Sequence, residues 1–552
     1  MVNRILKSGR ELFLSRQSTI LGAATILMAT VAASRILGLV RTRLLASYFT
    51  PSEAGIYIAA FRLPDMVYNL LIFGALSVAF IPVFSDMMTK QGKAKAFSFA
   101  SSLLSVGIVV FGIVSILSII FVRPISTLIA IGFNDSELDL MSSLSQILFI
   151  SQFVFVIGAL FTSLLQSFKH FFIPAIAGVL YNVGIIIGII IFTPFFGIYG
   201  PVYGVLLGSF LYLLIHIPLI KSIGYSFRFN FDTSQPGVRR VFKLMGPRTL
   251  AIAGDQLRTT FNLSIASSIS ASSVTYLNFA QQLYLVPVGL FIATMAQAAL
   301  PVLSEEQALH QKDSFIKTLI TSLHQVLFLT LPAAAILIIL RIPVVRLVFG
   351  ASQFDWDATV LTGMTVAWLA VGLVAESIVM LFVRAYYALH DTKTPVVVAL
   401  GALLVDVVVS VIFIYVLKQD VWSLGLSASI GGYIAAIALF ILLNRRIGGL
   451  FSFAFFSPFI RMSIAALVMA VSLRIPIKLL DQVVFDTTRT INLLVLTGIA
   501  SVCGMIMYLF LTWLFRVKEA FMILNYIKSV LNKGNDVKVV LGAPEEELTG
   551  KN

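Results

Sequence analysis

About fourteen apolar segments fill this chain, and several carry arginine or acidic residues near their middle. Each segment is long enough to cross a bilayer, which takes about 20 apolar residues in a helix. A charge at the centre of a spanning helix costs roughly 2.5–3.5 kcal/mol. A chain that bears this cost repeatedly is expected to line a polar cavity with those charges, and an anionic headgroup is the natural occupant.

The segments, numbered one to fourteen along the chain, leave room only for short connections and a polar tail. They predict an all-α polytopic membrane protein without a sizeable soluble domain. The predicted bounds are 19–48, 54–86, 96–122, 138–167, 173–194, 198–220, 242–270, 274–303, 315–340, 357–389, 395–417, 422–443, 456–477 and 490–515.

Composition and charge placement support this prediction. Hydrophobic residues make up 59% of the chain and charged residues 12%, against about 25% charged residues in soluble domains. With a cytoplasmic N-terminus, 27 of the 39 Lys and Arg residues fall in inward loops and tails, and seven fall in outward loops. This bias follows the positive-inside rule. Both termini are therefore predicted to be cytoplasmic, and the net charge of +14 does not indicate a nucleic-acid partner.

An internal repeat relates the first twelve segments. "AFIPVFSD" closes segment two and "AALPVLSE" closes segment eight, with prolines 219 residues apart. Prolines near the ends of segments three and nine are also 219 residues apart, and those opening segments five and eleven are 221 apart. Independent recurrence of helix-end prolines is the alternative. A parallel repeat places the substrate site between two lobes. The predicted divisions are an N-lobe (1–222), a C-lobe (223–445), the pair of segments thirteen and fourteen (446–516) and a cytoplasmic tail (517–552).

Segment one carries three arginines, Arg35, Arg41 and Arg43, in "SRILGLVRTRLL". On a helix, Arg35 and Arg43 lie within about 80° of each other. One guanidinium group can bind a phosphate through two parallel hydrogen bonds. The three side chains are therefore candidates for a pyrophosphate clamp. In the alternative interpretation, Arg41 and Arg43 reach the outer interface and only Arg35 is buried in the membrane.

Segment two carries Arg62, Asp65 and Asn69 on one helical face. Arg62 and Asp65 can pair, which would reduce the cost of burying both charges. A structural pair that fixes the helix and a contact with substrate are equally compatible with this pattern. Pro64 lies between the two charged residues and is expected to bend the helix.

The C-lobe segments also carry charges. Asp255 and Arg258 lie in segment seven, Glu376 in segment ten and Asp406 in segment eleven. Acidic residues inside a membrane are candidates for a Na⁺ or H⁺ coupling site, and a hydrogen-bonded buried acid is the alternative. The sequence contains no Walker A, nucleophile-elbow or HExxH motif. It therefore predicts a secondary transporter without a firm metal site or other cofactor, and not an enzyme.

Several of these motifs resemble the MurJ (MviN) family of lipid II flippases, within the superfamily of multidrug, oligosaccharidyl-lipid and polysaccharide exporters. The matching stretches are "SRILGLVRTRLLA", "AFRLP…GALSVAFIPVFSD", "MGPRTL…DQ…N", "ALPVLS" and "RAYYALHDTKTPV". The resemblance implies fourteen helices, two six-helix lobes around a cationic cavity, and two further helices that form a groove for the lipid tail. It also implies transfer of an undecaprenyl-pyrophosphate-linked peptidoglycan precursor across the bacterial plasma membrane by alternating access, driven by membrane potential. Some members of the family have a sodium site on the seventh and eleventh helices.

The chain departs from the family pattern at several cavity positions. The family's acid at the start of segment two aligns with Gly55, and its charged pair in segment eight is replaced by Gln281 and Gln282. The family's basic pair in segment two is Tyr68 and Asn69 here, and its following glutamate is Phe73. Arg258 is the candidate replacement charge, and Asn69 and Gln282 remain candidate substrate contacts.

The predicted function is therefore lipid II flipping by alternating access, with Arg35, Arg41 and Arg62 capturing the pyrophosphate. Three alternatives remain open: a flippase for another polyprenyl-linked glycan, a multidrug or cation antiporter of the same superfamily, and a non-transporting scaffold that recruits cell-wall synthesis enzymes. An antiporter would favour an acidic cavity, whereas the first lobe is basic.

Overall fold

In a computed structural model of the protein, the described residues are 20–73, 79–480 and 489–522. Each of the fourteen segments corresponds to a helix or a broken helix, which confirms the all-α fold class. The predicted tail lies largely outside the described residues, as does the chain before residue 20. The helices are Ile20–Tyr48, Pro51–Ala60, Arg62–Tyr68, Ile81–Gln91, Lys93–Ile120, Val122–Ile129, Asp135–Ser167, Phe172–Ile187, Thr193–Phe196, Tyr199–Ser222, Pro236–Ile269, Ala271–Pro287, Ala293–Ala308, Lys312–Ile339, Arg341–Phe349, Trp356–Val371, Leu373–Ala388, Lys393–Val411, Trp422–Ile447, Phe453–Leu480 and Thr490–Leu514, with π-helical turns at Asn69–Phe73, Gly188–Phe192, Val288–Ile292 and Ile412–Val416.

The number of spans agrees with the prediction only in part. Within the described residues, ten helices are long and apolar enough to cross a membrane, or eleven when the bent pair in segment ten counts as one span. Segments one, two and seven fall outside this count, and they are the segments with several charges near the middle. The predicted count of fourteen is therefore not confirmed.

Local sequence explains where the helices start and bend. Thr50 and Glu53 form a capping box at the start of segment two, with Pro51 in the first helical turn. Segment two is interrupted at Phe61, between the helices Pro51–Ala60 and Arg62–Tyr68. Segment ten bends by 42° next to Gly372, where its two helices meet.

The apolar core is divided unevenly between the lobes. One buried cluster joins the N-lobe to segments seven to ten and to the adjoining ends of segments eleven and twelve. It includes Val238 and Val241 at the start of the helix Pro236–Ile269. A second cluster joins the remaining parts of segments eight to ten with segments twelve to fourteen. The lobes therefore share one core, which includes the end of the molecule where segment one terminates, called the seal end below, and the C-lobe has a further core of its own.

Candidate functional site

Segment one faces the C-lobe through the helix side that bears Arg35. Thr42 donates a hydrogen bond to the side-chain oxygen of Gln282 in segment eight at 3.1 Å. Because residues seven apart lie within about 20° of each other on a helix, Arg35 lies on the same face, about 10 Å farther from the seal end. The Arg35 side chain is exposed and has no hydrogen-bond or ion-pair partner among the described residues. It is therefore available to a ligand that enters between the lobes.

The other two arginines of segment one have protein partners. Arg41 donates to the side-chain oxygen of Asn182 in segment five at 3.2 Å, and the Asn182 amide donates to the Ser34 hydroxyl at 3.1 Å. Arg43 donates to the backbone carbonyl of Leu347, on the short helix after segment nine. Arg43 thus connects the two lobes. Arg41 uses one of its N–H donors for Asn182.

Arg62 is buried between the lobes, with 8% of its surface exposed. Its Nη2 atom donates to the backbone oxygen of Gln256 at 2.7 Å and to the side-chain oxygen of the same residue at 2.6 Å. Its Nε atom donates to the Thr260 hydroxyl at 2.7 Å. We call these three bonds the Arg62 latch, because they tie segment two to segment seven.

Arg62 and Asp65, which could pair within segment two, form no ion pair with each other in the described residues. Asp65 instead accepts a hydrogen bond from the Gln152 amide in segment four at 2.6 Å. Asn69 begins the π-helical turn Asn69–Phe73 and is half-buried. The polar face of segment two is therefore divided between two neighbouring segments, because Arg62 and Asp65 find different partners.

The predicted charged residues of the C-lobe lie on three segments. Arg258 lies 3.3 Å from the Asp255 carboxylate, and about half of each side chain is exposed although both lie near the middle of segment seven. Glu376 lies on segment ten and Asp406 on segment eleven, which packs on segment seven. Asp406 is only 4% exposed and accepts a hydrogen bond from the Ser410 hydroxyl. Of the three predicted acids, Asp255 is the one that pairs with Arg258.

Ion coupling by Asp255, Glu376 and Asp406 stays a prediction. A bound metal cation takes several oxygen ligands that converge on one point. Within the described residues, no three acidic, histidine or cysteine side chains come close enough together to hold a metal ion.

Two glycines bring the lobes into backbone contact at the seal end. A Cβ atom placed on Gly55 would lie 1.9 Å from the Ala271 carbonyl oxygen, and one on Gly132 would lie 2.2 Å from the Ser267 carbonyl oxygen. The Thr275 hydroxyl donates to the Pro51 carbonyl nearby at 2.7 Å. We call the Gly55 and Gly132 contacts the seal. No side chain fits at either glycine while the lobes stay this close.

An apolar cavity of about 160 Å³ lies at the opposite end of the C-lobe, where segments nine, ten, twelve and thirteen meet. Leu327, Ile378, Phe440, Phe455 and Phe459 are among the residues that line it. Segments thirteen and fourteen pack on each other, and segment thirteen packs on segment nine. The two segments outside the repeat thus add an aromatic wall to the C-lobe.

Sequence reasoning missed several polar partners: Asn182 of Arg41, Thr260 of Arg62, Gln152 of Asp65 and Thr42 of Gln282. Asn182 carried a signal, since it is a lone amide inside an otherwise apolar segment five. Thr42 and Thr260 gave no such signal, because the hydroxyl of a helical threonine commonly donates to a carbonyl of its own helix. Thr260 also makes such a bond, to the Gln256 carbonyl.

Comparison with known proteins identifies what the chain resembles. Residues 45–498 match the family model described as "Lipid II flippase MurJ". A relative from Burkholderia cenocepacia named "Lipid II flippase MurJ" is 26% identical over 423 residues, which is 75% of this chain and 81% of that protein.

Solved structures agree with this comparison. A structure titled "Lipid II flippase MurJ, inward closed conformation" matches with a TM-score of 0.73 and 26% identity, covering 89% of this chain and 98% of that one. An inward-facing multidrug transporter of the MATE family, from the MOP superfamily, matches with a TM-score of 0.64 and 15% identity. It covers 75% of this chain and 94% of its own, and at that identity it shows the shared fold alone.

Proposed function

The chain belongs to the MurJ family of lipid II flippases, and we propose that it moves lipid II from the inner to the outer leaflet of the bacterial plasma membrane by alternating access. The observation that carries the proposal is Arg35, an exposed arginine without a protein partner among the described residues on the face of segment one that meets the C-lobe. A pyrophosphate crossing hydrocarbon alone would face tens of kcal/mol of desolvation in the idealised limit. A cationic cavity removes most of that cost.

The arginines divide the work of substrate binding. Arg35 makes the first contact with the pyrophosphate, since its donors are not engaged by the described residues. Arg41 adds a second guanidinium by exchanging its single bond to Asn182. Arg62 joins last, because three of its five N–H donors first have to leave segment seven. Arg43 keeps its contact with Leu347 and positions segment one.

The orientation of the chain in the membrane is inferred from charge placement. The positive-inside bias puts both termini in the cytoplasm, so the seal faces the outside and the opposite end of the lobes faces the cytoplasm. Entry of substrate from the inner leaflet then requires the lobes to separate at the cytoplasmic end, where Arg240 pairs with Asp86 at 3.0 Å. The division into an N-lobe (1–222) and a C-lobe (223–445) provides the two bodies that rock, with segments thirteen and fourteen moving with the second.

The polyprenyl tail stays in lipid while the headgroup crosses. The apolar cavity lined by Phe440, Phe455 and Phe459 supports a path for the tail along segment thirteen, because its lining residues are mostly aliphatic and aromatic. The family's activity is transport and involves no catalysed covalent step. A contact with cell-wall synthesis enzymes stays a prediction.

The test is rescue of a bacterium depleted of its own lipid II flippase, with lipid II exposed on the outer leaflet as the readout. We expect rescue by the wild-type chain. For Arg35→Ala we expect at least about tenfold less lipid II on the outer leaflet, which corresponds to about 1.4 kcal/mol. Lys221→Ala removes an exposed positive charge at the end of segment six and is expected to rescue normally.

Two results would contradict the proposal. A wild-type chain that is expressed and inserted but exposes no lipid II, while exposing another polyprenyl-linked glycan, would reassign the substrate. Equal rescue by Arg35→Ala and Lys221→Ala would remove Arg35 from the binding site.

A further inference from the structure

The connection between the two lobes is non-helical and lies along segment three. Residues 225–232, which we call the strap, follow segment six and form neither helix nor strand. Tyr225 anchors the start of the strap, because its ring is buried against Phe97 with 5.3 Å between the ring centroids. Its hydroxyl lies 3.1 Å from the Ser101 hydroxyl of segment three.

Serine side chains of segment three also hold the middle of the strap. The backbone amide of Asn230 donates to the Ser105 hydroxyl at 2.9 Å, and its side-chain amide donates to the Ser102 hydroxyl at 2.8 Å. Both serines are fully buried. They belong to the helix Lys93–Ile120, which is long and apolar enough to cross the membrane. A non-helical backbone amide needs a protein partner of this kind at membrane depth.

The position of these contacts places the strap at the cytoplasmic boundary of the membrane. Tyr225 comes three residues after the helix Tyr199–Ser222 ends and contacts Ser101. Segment three starts on the cytoplasmic side in the orientation inferred above. Ser105 is one helical turn farther along it, so the contact of Asn230 lies about 6 Å deeper than that of Tyr225. Amphipathic segments bind membranes at this depth, where headgroups meet acyl chains.

Three phenylalanines of the strap are exposed. Phe227, Phe229 and Phe231 expose 40%, 65% and 52% of their surface among the described residues. They alternate with polar residues in the sequence FRFNF, and side chains two residues apart share a side of an extended backbone. Neighbouring exposed aromatic residues form an apolar patch of the kind that marks an interaction surface.

The charges around the strap favour lipid as the partner of this patch. Between residues 221 and 243 the chain has one acid, Asp232, and five basic residues: Lys221, Arg228, Arg239, Arg240 and Lys243. All five basic residues are exposed. Anionic lipids of the cytoplasmic leaflet attract basic residues that lie next to the membrane.

We infer that the strap is an interfacial anchor, with its three phenylalanines inserted between the headgroups and the acyl chains of the inner leaflet. Ser102 and Ser105 hold it at that depth. The partner of the apolar patch is therefore bilayer lipid. The strap moves with the N-lobe, because segment three supplies all of these contacts.

The experiment measures the depth of a spin label in the full-length protein, reconstituted in vesicles of phosphatidylethanolamine and phosphatidylglycerol. Cys503 is first replaced by serine, and Phe229→Cys then carries the nitroxide. Collision of the label with oxygen, which concentrates in lipid, is compared with collision with a water-soluble nickel chelate. We expect oxygen to collide more often than the chelate at position 229. Thr233→Cys is the matched control at an exposed polar position just beyond the strap, and there we expect the chelate to collide more often.

A second pair of variants tests the contact with segment three. Ser105→Ala removes the acceptor of the Asn230 amide, so we expect collisions at position 229 to shift from oxygen towards the chelate. Ser115→Ala is the matched control on the same helix, since the buried Ser115 hydroxyl has no hydrogen-bond partner among the described residues. We expect no shift for this variant.

Three results would overturn the inference. A label at position 229 that collides mainly with the chelate would place the strap in water. A label shielded from both reagents would show that protein, and not lipid, covers the phenylalanines. Equal collision ratios in Ser105→Ala and Ser115→Ala would remove segment three as the support of the strap. Flipping enters none of these measurements, so a failure of the proposed function would leave their outcome standing.

Discussion

A single methyl group at Gly55 should open the seal. In the closed arrangement, the added Cβ atom of Gly55→Ala would lie 1.9 Å from the Ala271 carbonyl oxygen. One of the two backbones has to move by about 1.5 Å to reach an ordinary contact distance. Helix backbones on both sides of the contact cannot yield as a flexible side chain would, so the lobes themselves have to separate.

The size of the effect follows from the cost of overpacking. Extra methyl groups in a well-packed region cost about 1–3 kcal/mol. Because the strain exists only while the seal is closed, the ratio of open to closed protein should rise about 5- to 150-fold. Gly498→Ala is the matched control, since a Cβ atom there meets nothing within 4 Å.

The assay uses one reporter cysteine. Cys503 is exposed and is first replaced by serine, and Ser267→Cys then places a thiol at a fully buried position of the seal. The rate at which a water-soluble maleimide labels this thiol in the purified protein reports the open population. Gly55→Ala should raise the rate within the range above, and Gly498→Ala should not change it. Labelling of the Gly55→Ala protein at the parent rate would refute the steric argument.

Two further predictions concern polar contacts. Thr260→Val removes the hydroxyl that accepts the Arg62 Nε–H bond and should lower the free energy of unfolding by about 1.5–3 kcal/mol, so an unchanged thermal midpoint would contradict the latch. In the loop after segment ten, hydrogen bonds from the Thr394 amide and hydroxyl, with the Arg446 guanidinium, hold the pKa of Asp391 below its ordinary value. This stabilisation is present above the unfolded pKa of about 3.9 and is lost as pH falls through the lower folded pKa. Asp391→Asn should therefore lower the thermal midpoint at pH 7, and this difference should shrink below about pH 4; a constant difference at all pH values would contradict it.

The sequence predicted the helices well because their signal is local. A long apolar run with charged flanks has few alternatives in a membrane, since backbone groups have to be satisfied within the segment. The start of segment four, predicted at 138, lies at Asp135, where Asn134 and Glu137 form a capping box. The interruption of segment two at Phe61 was not predicted, because Pro64 indicates a bend without locating it.

The site was only partly predictable, because partners between lobes are distant in sequence. Arg62 and Asp65 are three residues apart and could pair within segment two, yet each binds a residue 87 or more positions away. Periodicity shows which residues share a helix face and does not show what that face meets. Gly55 illustrates the same limit: its departure from the family pattern was visible, but the close approach of Ala271 depends on how the lobes meet.

The contacts between the lobes are of two kinds: close backbone packing and side-chain hydrogen bonds. Substrate oxygens can replace only the hydrogen bonds. The seal consists of close backbone packing, for which water and substrate offer no substitute. The Arg62 latch consists of hydrogen bonds to neutral oxygens of Gln256 and Thr260. A pyrophosphate offers Arg62 charged oxygens, and hydrogen bonds between two charged groups are stronger than those with one. In the proposed mechanism, this exchange releases segment seven from segment two when substrate binds. Since a ligand shifts an equilibrium by no more than its differential affinity for the two states, we propose the latch as a contact through which binding favours separation of the lobes.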